Sequence, residues 1–348
     1  MLSPLITVLV LWGAWSGIWM FMSATAQNMA ADWREKAGKR GLSVTCAEEN
    51  WGGYPFRIEI RCNQLKLLRT RQGRETEIRS GAVTAVAQVY KPWHIILELA
   101  PPLNLSLPAN RADASKLLVS AEHAPGLASV RLDDSYKPQV SVLLKEIRGD
   151  AGIRSGEAEF PAGKFEAQSL NAHFRFEENS TPARPVAGVA ATLETLTFDG
   201  PVRDPIDAGP IKFNRLSFDG TLSGLPAKPA PTLTDLLRRL ANNKANLQIR
   251  RLDAEKSPVV LQTSGDVSLD TEGLLNGKVN AKVQRLDHVI DRLAEVGRLS
   301  KNDAKVSKGL FKIMSEDRPN GEIVSDFTLK KSKLYFGPFK LIKLPPLF

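Results

Sequence analysis

Phe56-Arg57-Ile58-Glu59-Ile60-Arg61-Cys62 alternates apolar and charged side chains over seven positions. Successive side chains of a strand point to opposite faces, so a period of two marks a strand with one buried and one wet face. The alternation recurs in His173-Phe174-Arg175-Phe176, in Leu193 to Phe198, in Ile211 to Phe218 and in Val267-Ser268-Leu269-Asp270. Around these runs stand Asp199-Gly200, Asp219-Gly220, Ser264-Gly265, Glu272-Gly273 and Asn276-Gly277, pairs that supply positive φ between strands. Short turns join antiparallel neighbours, whereas parallel strands need long crossovers. The chain is therefore expected to be mainly β, a β-rich α+β fold of curved antiparallel sheets with a few short helices. Leu196-Thr197-Phe198-Asp199-Gly200 is echoed by Leu216-Ser217-Phe218-Asp219-Gly220, as a repeated hairpin edge or as a coincidence in a strand-rich chain.

Helical spacing is confined to a few segments. Leu233 to Leu240 follows the proline-rich linker Pro226 to Pro231, with Thr232 placed to cap it. Leu286, Val289, Ile290, Leu293, Val296 and Leu299 share a helical face, and Ala304 to Met314 sets Val306, Leu310, Phe311 and Ile313 against Lys301, Lys305, Lys308 and Lys312. The linker is expected to divide an antiparallel β domain, residues 42–225, from an α+β C-terminal region, residues 232–348, the alternative being one curved sheet that continues across it.

The first thirty-one residues carry no charged side chain. A helix needs roughly 20 mostly apolar residues to cross the hydrocarbon core, and Leu5 to Met22 meets that need. Ala24-Thr25-Ala26 before Gln27 offers the competing reading, a cleaved signal peptide, although the apolar region of a signal runs to only about 7–15 residues. Residues 1–26 are thus a transmembrane anchor or a signal peptide. Residues 27–41 form a juxtamembrane helix, with Met29, Trp33 and Ala37 on one face and Gly41 as its stop. Arg34, Lys36, Lys39 and Arg40 follow the apolar run, and the positive-inside rule alone would leave the bulk in the cytoplasm; long folded domains translocate despite such flanks.

The two cysteines argue for the other side. Cys46 and Cys62 are the only ones in the chain, and a disulfide between them would persist in a periplasmic or secreted protein but rarely in the cytosol. Unpaired, they would be two small apolar core residues. The disulfide reading places the bulk of the chain in the periplasm behind a single-pass inner-membrane anchor.

Composition narrows the partners. The formal net charge is +9, and from Asp235 onward 21 Lys/Arg stand against 14 Asp/Glu. Such an excess suits anionic lipid headgroups or nucleic acid; the membrane address favours the lipid surface of the two, an uninvolved solvated face is the simpler reading, and no nucleic-acid partner is expected. Zinc sites usually take four ligands, while His94, His123, His173 and His288 are scattered singly. No metal or cofactor is expected. There is no G-x-S-x-G elbow, no G-x-x-x-x-G-K loop and no H-E-x-x-H helix, so no catalytic residue is assigned.

Trp51-Gly52-Gly53-Tyr54-Pro55-Phe56-Arg57 opens a strand soon after a membrane segment and a Trp-bearing helix. On that run the chain resembles an uncharacterised bacterial envelope family, domain of unknown function 2125. The far end agrees, with Phe327-Thr328-Leu329, Leu334-Tyr335-Phe336-Gly337-Pro338-Phe339 and Leu344-Pro345-Pro346-Leu347 similar to that family's closing strand and ending. The resemblance implies a periplasmic, inner-membrane-anchored β-rich protein and no particular activity. Gly52, Gly53, Tyr54, Pro55, Phe56 and Arg57 have a structural explanation as well: glycines supply unusual φ values and Pro55 opens the strand. More distantly, Gly265 to Asp270 with Gly273 to Val279 is similar to the C-terminal region of AsmA-like envelope proteins, whose curved β-grooves are implicated in moving phospholipids.

The expected function is non-catalytic: a membrane-anchored protein that binds or shields a lipid or another apolar envelope component. The alternative is an interaction module that contacts other envelope proteins, and the third reading is a hydrolase whose acids only the fold brings together.

Overall fold

Helix α1 (Ser3–Lys39) runs unbroken through the apolar segment and the juxtamembrane stretch, and Gly41 stops it at φ +78°. The computed structural model describes residues 3–71, 73–108, 115–135, 137–181, 183–201, 203–204, 209–226, 233–297, 299–315, 322–336 and 339–348. The linker beyond Pro226, the Thr232 cap and Gly337-Pro338 lie outside them, as do the side chains of Leu310, Phe311 and Ile313.

The strands form one open antiparallel meander in which neighbours in sequence are neighbours in space. Its first part is built of strands broken in the middle: β1 (Leu42–Ala47) and β2 (Asn50–Gly52), β3 (Arg57–Cys62) and β4 (Gln64–Arg71), β5 (Arg74–Ser80) and β6 (Val83–Gln88), β7 (Lys91–Leu99) and β8 (Leu103–Pro108). One half of each pairs along β1–β4–β5–β8, the other along β2–β3–β6–β7. The unbroken β9 (Lys116–Leu132) receives β8 on its first half and β7 on its second. Then follow β10 (Pro138–Ser155), β11 (Ala158–Phe176), β12 (Val186–Asp199), β13 (Ile211–Ser223), β14 (Asn246–Lys256), β15 (Val259–Leu269), β16 (Leu275–Gln284), β17 (Ile323–Lys330), β18 (Lys333–Phe336) and β19 (Phe339–Lys343). Each is antiparallel to the one before. The β13–β14 pairing carries the sheet across the proline-rich linker.

The breaks fall on a line across the sheet: Glu48, Asn63, Gly81, Pro101-Pro102, residues 122–125 of β9 and Glu146 of β10, where register shifts. Bulges of this kind bend strands. At Gly81 a side chain would meet the Pro101 carbonyl at 2.1 Å, so only glycine allows this close approach. Ala121, Leu144, Ile147 and Ala167 cluster beside the line, with Phe165, Leu170 and Leu193 packed on them. Elsewhere most apolar side chains are only half-buried, as a sheet with limited cover requires.

Turn chemistry and strand chemistry prove separable. Asp199-Gly200 closes β12 and Glu272-Gly273 turns β15 into β16, but Asp219-Gly220, Ser264-Gly265 and Asn276-Gly277 lie inside β13, β15 and β16. The Leu-x-Phe-Asp-Gly echo is therefore no repeated hairpin. At Gly265, φ +150°, an added Cβ would stand 2.2 Å from the Lys278 carbonyl, so the glycine serves cross-strand approach instead of a turn. Asp270 carries the true turn: its carboxylate accepts from the Leu274 and Glu272 N–H groups and from the Asn276 amide. The Leu274 N–H foremost holds that carboxyl below its ordinary range.

Three short helices accompany the C-terminal strands. α2 (Leu233–Asn242) and α3 (Leu286–Glu295) touch β15, and α4 (Lys301–Ser315) touches α3 and β17. α3 ends before the Val296 and Leu299 of the apolar pattern. Gly297 takes φ +73°, and its N–H bonds the Ala294 carbonyl, the left-handed geometry that closes helices.

Candidate functional site

The Gly52 to Arg57 run turns β2 into β3 and lies against α1. The Trp15 indole donates to the Pro55 carbonyl at 2.9 Å and the Trp19 indole to the Arg57 carbonyl at 2.9 Å. Ser16 donates to the Trp12 carbonyl at 2.8 Å, so its hydroxyl oxygen accepts from the Tyr54 hydroxyl at 2.8 Å. Trp19 meets Tyr54 edge to face at 5.4 Å between ring centroids, and Trp15 meets Phe56 at 5.8 Å. Gly53, at φ +102°, sits where any side chain would strike the Arg57 carbonyl. The motif is thus a loop shaped to a helix.

The helix face toward the domain carries Trp15, Ser16, Trp19, Ser23, Ala26, Ala30, Arg34 and Ala37, while Met29 and Trp33 point to the outside. Small side chains admit a closer approach than the larger pair would, which is why the apolar spacing of Met29 and Trp33 marks the wrong face. Arg34 holds Glu49 at 2.6 Å and Trp51 donates to the same carboxylate at 2.7 Å. Burial pushes the Glu49 carboxyl up, but these hydrogen bonds outweigh it and leave the group below its ordinary range. A carboxyl lowered on folding stabilises the fold above the ordinary value near 4.3 and loses that contribution as pH falls through its folded value. Glu49→Gln is expected to be less stable than the parent at pH 7 by up to about 1 kcal/mol, with the difference vanishing in acid. Urea melts at both pH values check this; an equal difference at both would refute it.

Cys46 of β1 and Cys62 of β3 stand with sulfurs 2.17 Å apart. They join the two rows of half-strands beside the break at Asn63. Glu59, expected on a wet face, is buried at 5% exposure and is flanked by Arg57 and Arg61; the ion pairs compensate its desolvation. His94 is half-buried and bonds Ser129, and the buried His123 donates to the Ala124 carbonyl. Among the described residues no three His, Cys, Asp or Glu gather as a metal site.

A second place has the shape of a binding site. A cleft of about 610 Å³ opens between α3 and the sheet, floored by Ile211 and Phe213 of β13, Ala254 of β14, Val259 and Leu261 of β15, and Pro258 between them. Val289 closes it from the helix, and His288, Asp291, Arg292 and Glu295 border it. At one end Lys256 pairs with the buried Asp204 at 2.5 Å. The volume falls within the range of about 300–1,000 Å³ common for small ligands, and an apolar lining with a few polar groups is the usual pattern. None of these residues carried a motif. Alternation marks Ile211 and Phe213 as inward-facing, and helical spacing marks Val289, but neither shows that α3 and the sheet leave a gap.

The C-terminal run Leu344-Pro345-Pro346-Leu347 lies across the β15–β16 turn. Leu347 donates to the Gly273 carbonyl at 2.9 Å, and the Phe348 ring receives the Arg238 guanidinium of α2 at 5.5 Å. Both end motifs therefore fasten other elements to the sheet. A family model described as "uncharacterized protein conserved in bacteria (DUF2125)" matches residues 19–345. The chain belongs to the DUF2125 family. It matches no curated protein and no solved structure. In this DUF2125 protein the matched span begins at Trp19, one of the two indoles that bond the Gly52–Arg57 loop. α1 is long and apolar enough to cross a membrane, as a signal sequence also can be.

Proposed function

We propose that this DUF2125 protein is a non-catalytic, membrane-anchored periplasmic protein that binds the acyl portion of an envelope lipid. The cleft under α3 carries the reading: its floor is apolar, its border polar, and an amphiphile fits that distribution with its chain on Phe213 and Leu261 and its head beside His288 and Arg292. The close Cys46–Cys62 pair supports an oxidising compartment, and the bonds from Trp15 and Trp19 to the loop support a retained anchor over a discarded signal.

The test uses the full chain in vesicles with a photoactivatable fatty acid. Crosslinks are expected on peptides bearing Phe213, Leu261 or Val289. Leu261→Trp, which fills the cleft, is expected to lower their yield about tenfold, the equivalent of ~1.4 kcal/mol of binding. Crosslinks confined to α1, or a yield unchanged by Leu261→Trp, would overturn the reading.

A further inference from the structure

We infer that the loop Gly53 to Arg57 is a second membrane-inserted element, lying in the hydrocarbon beside α1. Every residue from Pro4 to Ala14 is exposed, and contact with the domain starts at Trp15. The apolar run Leu5–Met22, eighteen residues long, rises about 27 Å along a helix, close to the ~30 Å hydrocarbon core, and it contains both Trp15 and Trp19. An α1 that crosses the bilayer on this run takes Trp15 and Trp19 below the surface, and the loop bonded to them goes with it. Counted from Met22, the end of that apolar run, Trp19 and Trp15 lie about 4.5 and 10.5 Å deeper along the axis.

Four of the loop's five carbonyls have partners that suit that depth. Non-helical backbone in lipid is tolerated only where its polar groups have partners. Here the Gly53 carbonyl accepts from the Arg57 N–H, Pro55 from Trp15, Phe56 from the Val89 N–H and Arg57 from Trp19. Pro55 has no N–H to satisfy, and the Tyr54 hydroxyl bonds Ser16. Ahead of the exposed Arg57 at its end, the loop's most exposed side chain is apolar: Phe56 is 61% exposed, and on the adjoining β6–β7 hairpin Tyr90 and Trp93 are 59% and 53% exposed. Arg57 and Lys91 flank these rings, matching the aromatic and cationic residues that anchor proteins at the headgroup boundary. An exposed aromatic rim continuous with a spanning helix has the bilayer as its partner.

The inference rests on the anchor reading but not on the lipid cleft. It is tested on the full chain in phosphatidylcholine–phosphatidylglycerol vesicles, with the native cysteines left oxidised and a nitroxide placed at Phe56→Cys, Tyr90→Cys, Leu9→Cys or Glu157→Cys. Glu157 lies on the exposed β10–β11 turn and serves as the aqueous reference. The label at 56 is expected to lose access to a water-soluble nickel relaxant to the level seen at Leu9, with Tyr90 intermediate and Glu157 fully accessible. Both rim positions are exposed, so neither label should unfold the chain. Nickel access at 56 equal to that at 157 overturns the inference. If Leu9 then remains in lipid the loss is confined to the loop; if Leu9 is aqueous too, the anchor falls with it.

Discussion

Lys256→Met is expected to lower the free energy of unfolding by up to about 3 kcal/mol, because it takes a close cation away from a buried carboxylate. Asp204 is only 4% exposed on its side chain, and the Lys256 ammonium stands 2.5 Å from its carboxylate. The cost should come from the carboxylate and not from lost attraction. The double variant Asp204→Asn/Lys256→Met is therefore expected to recover most of the loss, since removing both charges of a buried pair is often close to neutral. Urea unfolding of the parent, both single variants and the double variant measures the coupling. Additive single effects would show that the pair does not act as a unit. The same lysine borders the cleft, so the double variant also asks whether the charge pair or the apolar floor retains an acyl chain.

Removing the disulfide is expected to have an effect of similar size. In Cys46→Ala/Cys62→Ala the sixteen-residue separation between the cysteines is no longer closed in the unfolded chain, and the chain-entropy estimate for a loop of that length is about 3 kcal/mol. Among the described residues β1 pairs with β4 and with no other strand, and the bridge gives it a further attachment, to β3. The urea midpoint should fall by roughly 1 M. Reductant should lower the midpoint of the parent to that of the double variant and leave the variant unmoved. Equal midpoints for parent and variant under oxidising conditions would contradict the expectation.

Much of the architecture was readable before any contact was known. The period-two runs at 57–62, 173–176, 193–198 and 211–218 fall in strands, with Phe56 in the turn before β3, because which face a side chain takes is a local property of extended backbone. The uncharged N-terminus became one unbroken helix for an equally local reason. Glycine was read less well. The same residue that closes a turn at Gly273 allows cross-strand approach at Gly265, and only the position of the neighbouring Lys278 carbonyl separates the two uses. Glu59 shows the same limit: alternation gave it a wet face, and the flanking arginines allow it to be buried. The motif at 52–57 was visible as unusual, but its partner was not, since the hydrogen bonds that explain it join residues 38 and 40 positions apart.

The sequence by itself determined the strand-rich class, the helix long enough to span a membrane, the antiparallel connections and the family, since these follow from short-range periodicity, turn chemistry and motif. Only the tertiary structure decided that the strands make one meander bent along a line, that α3 stands off the sheet and leaves a cleft, and that the Gly-Tyr-Pro-Phe loop rests on Trp15 and Trp19. A gap and a docked loop are properties of two surfaces at once. No window of neighbouring residues contains both.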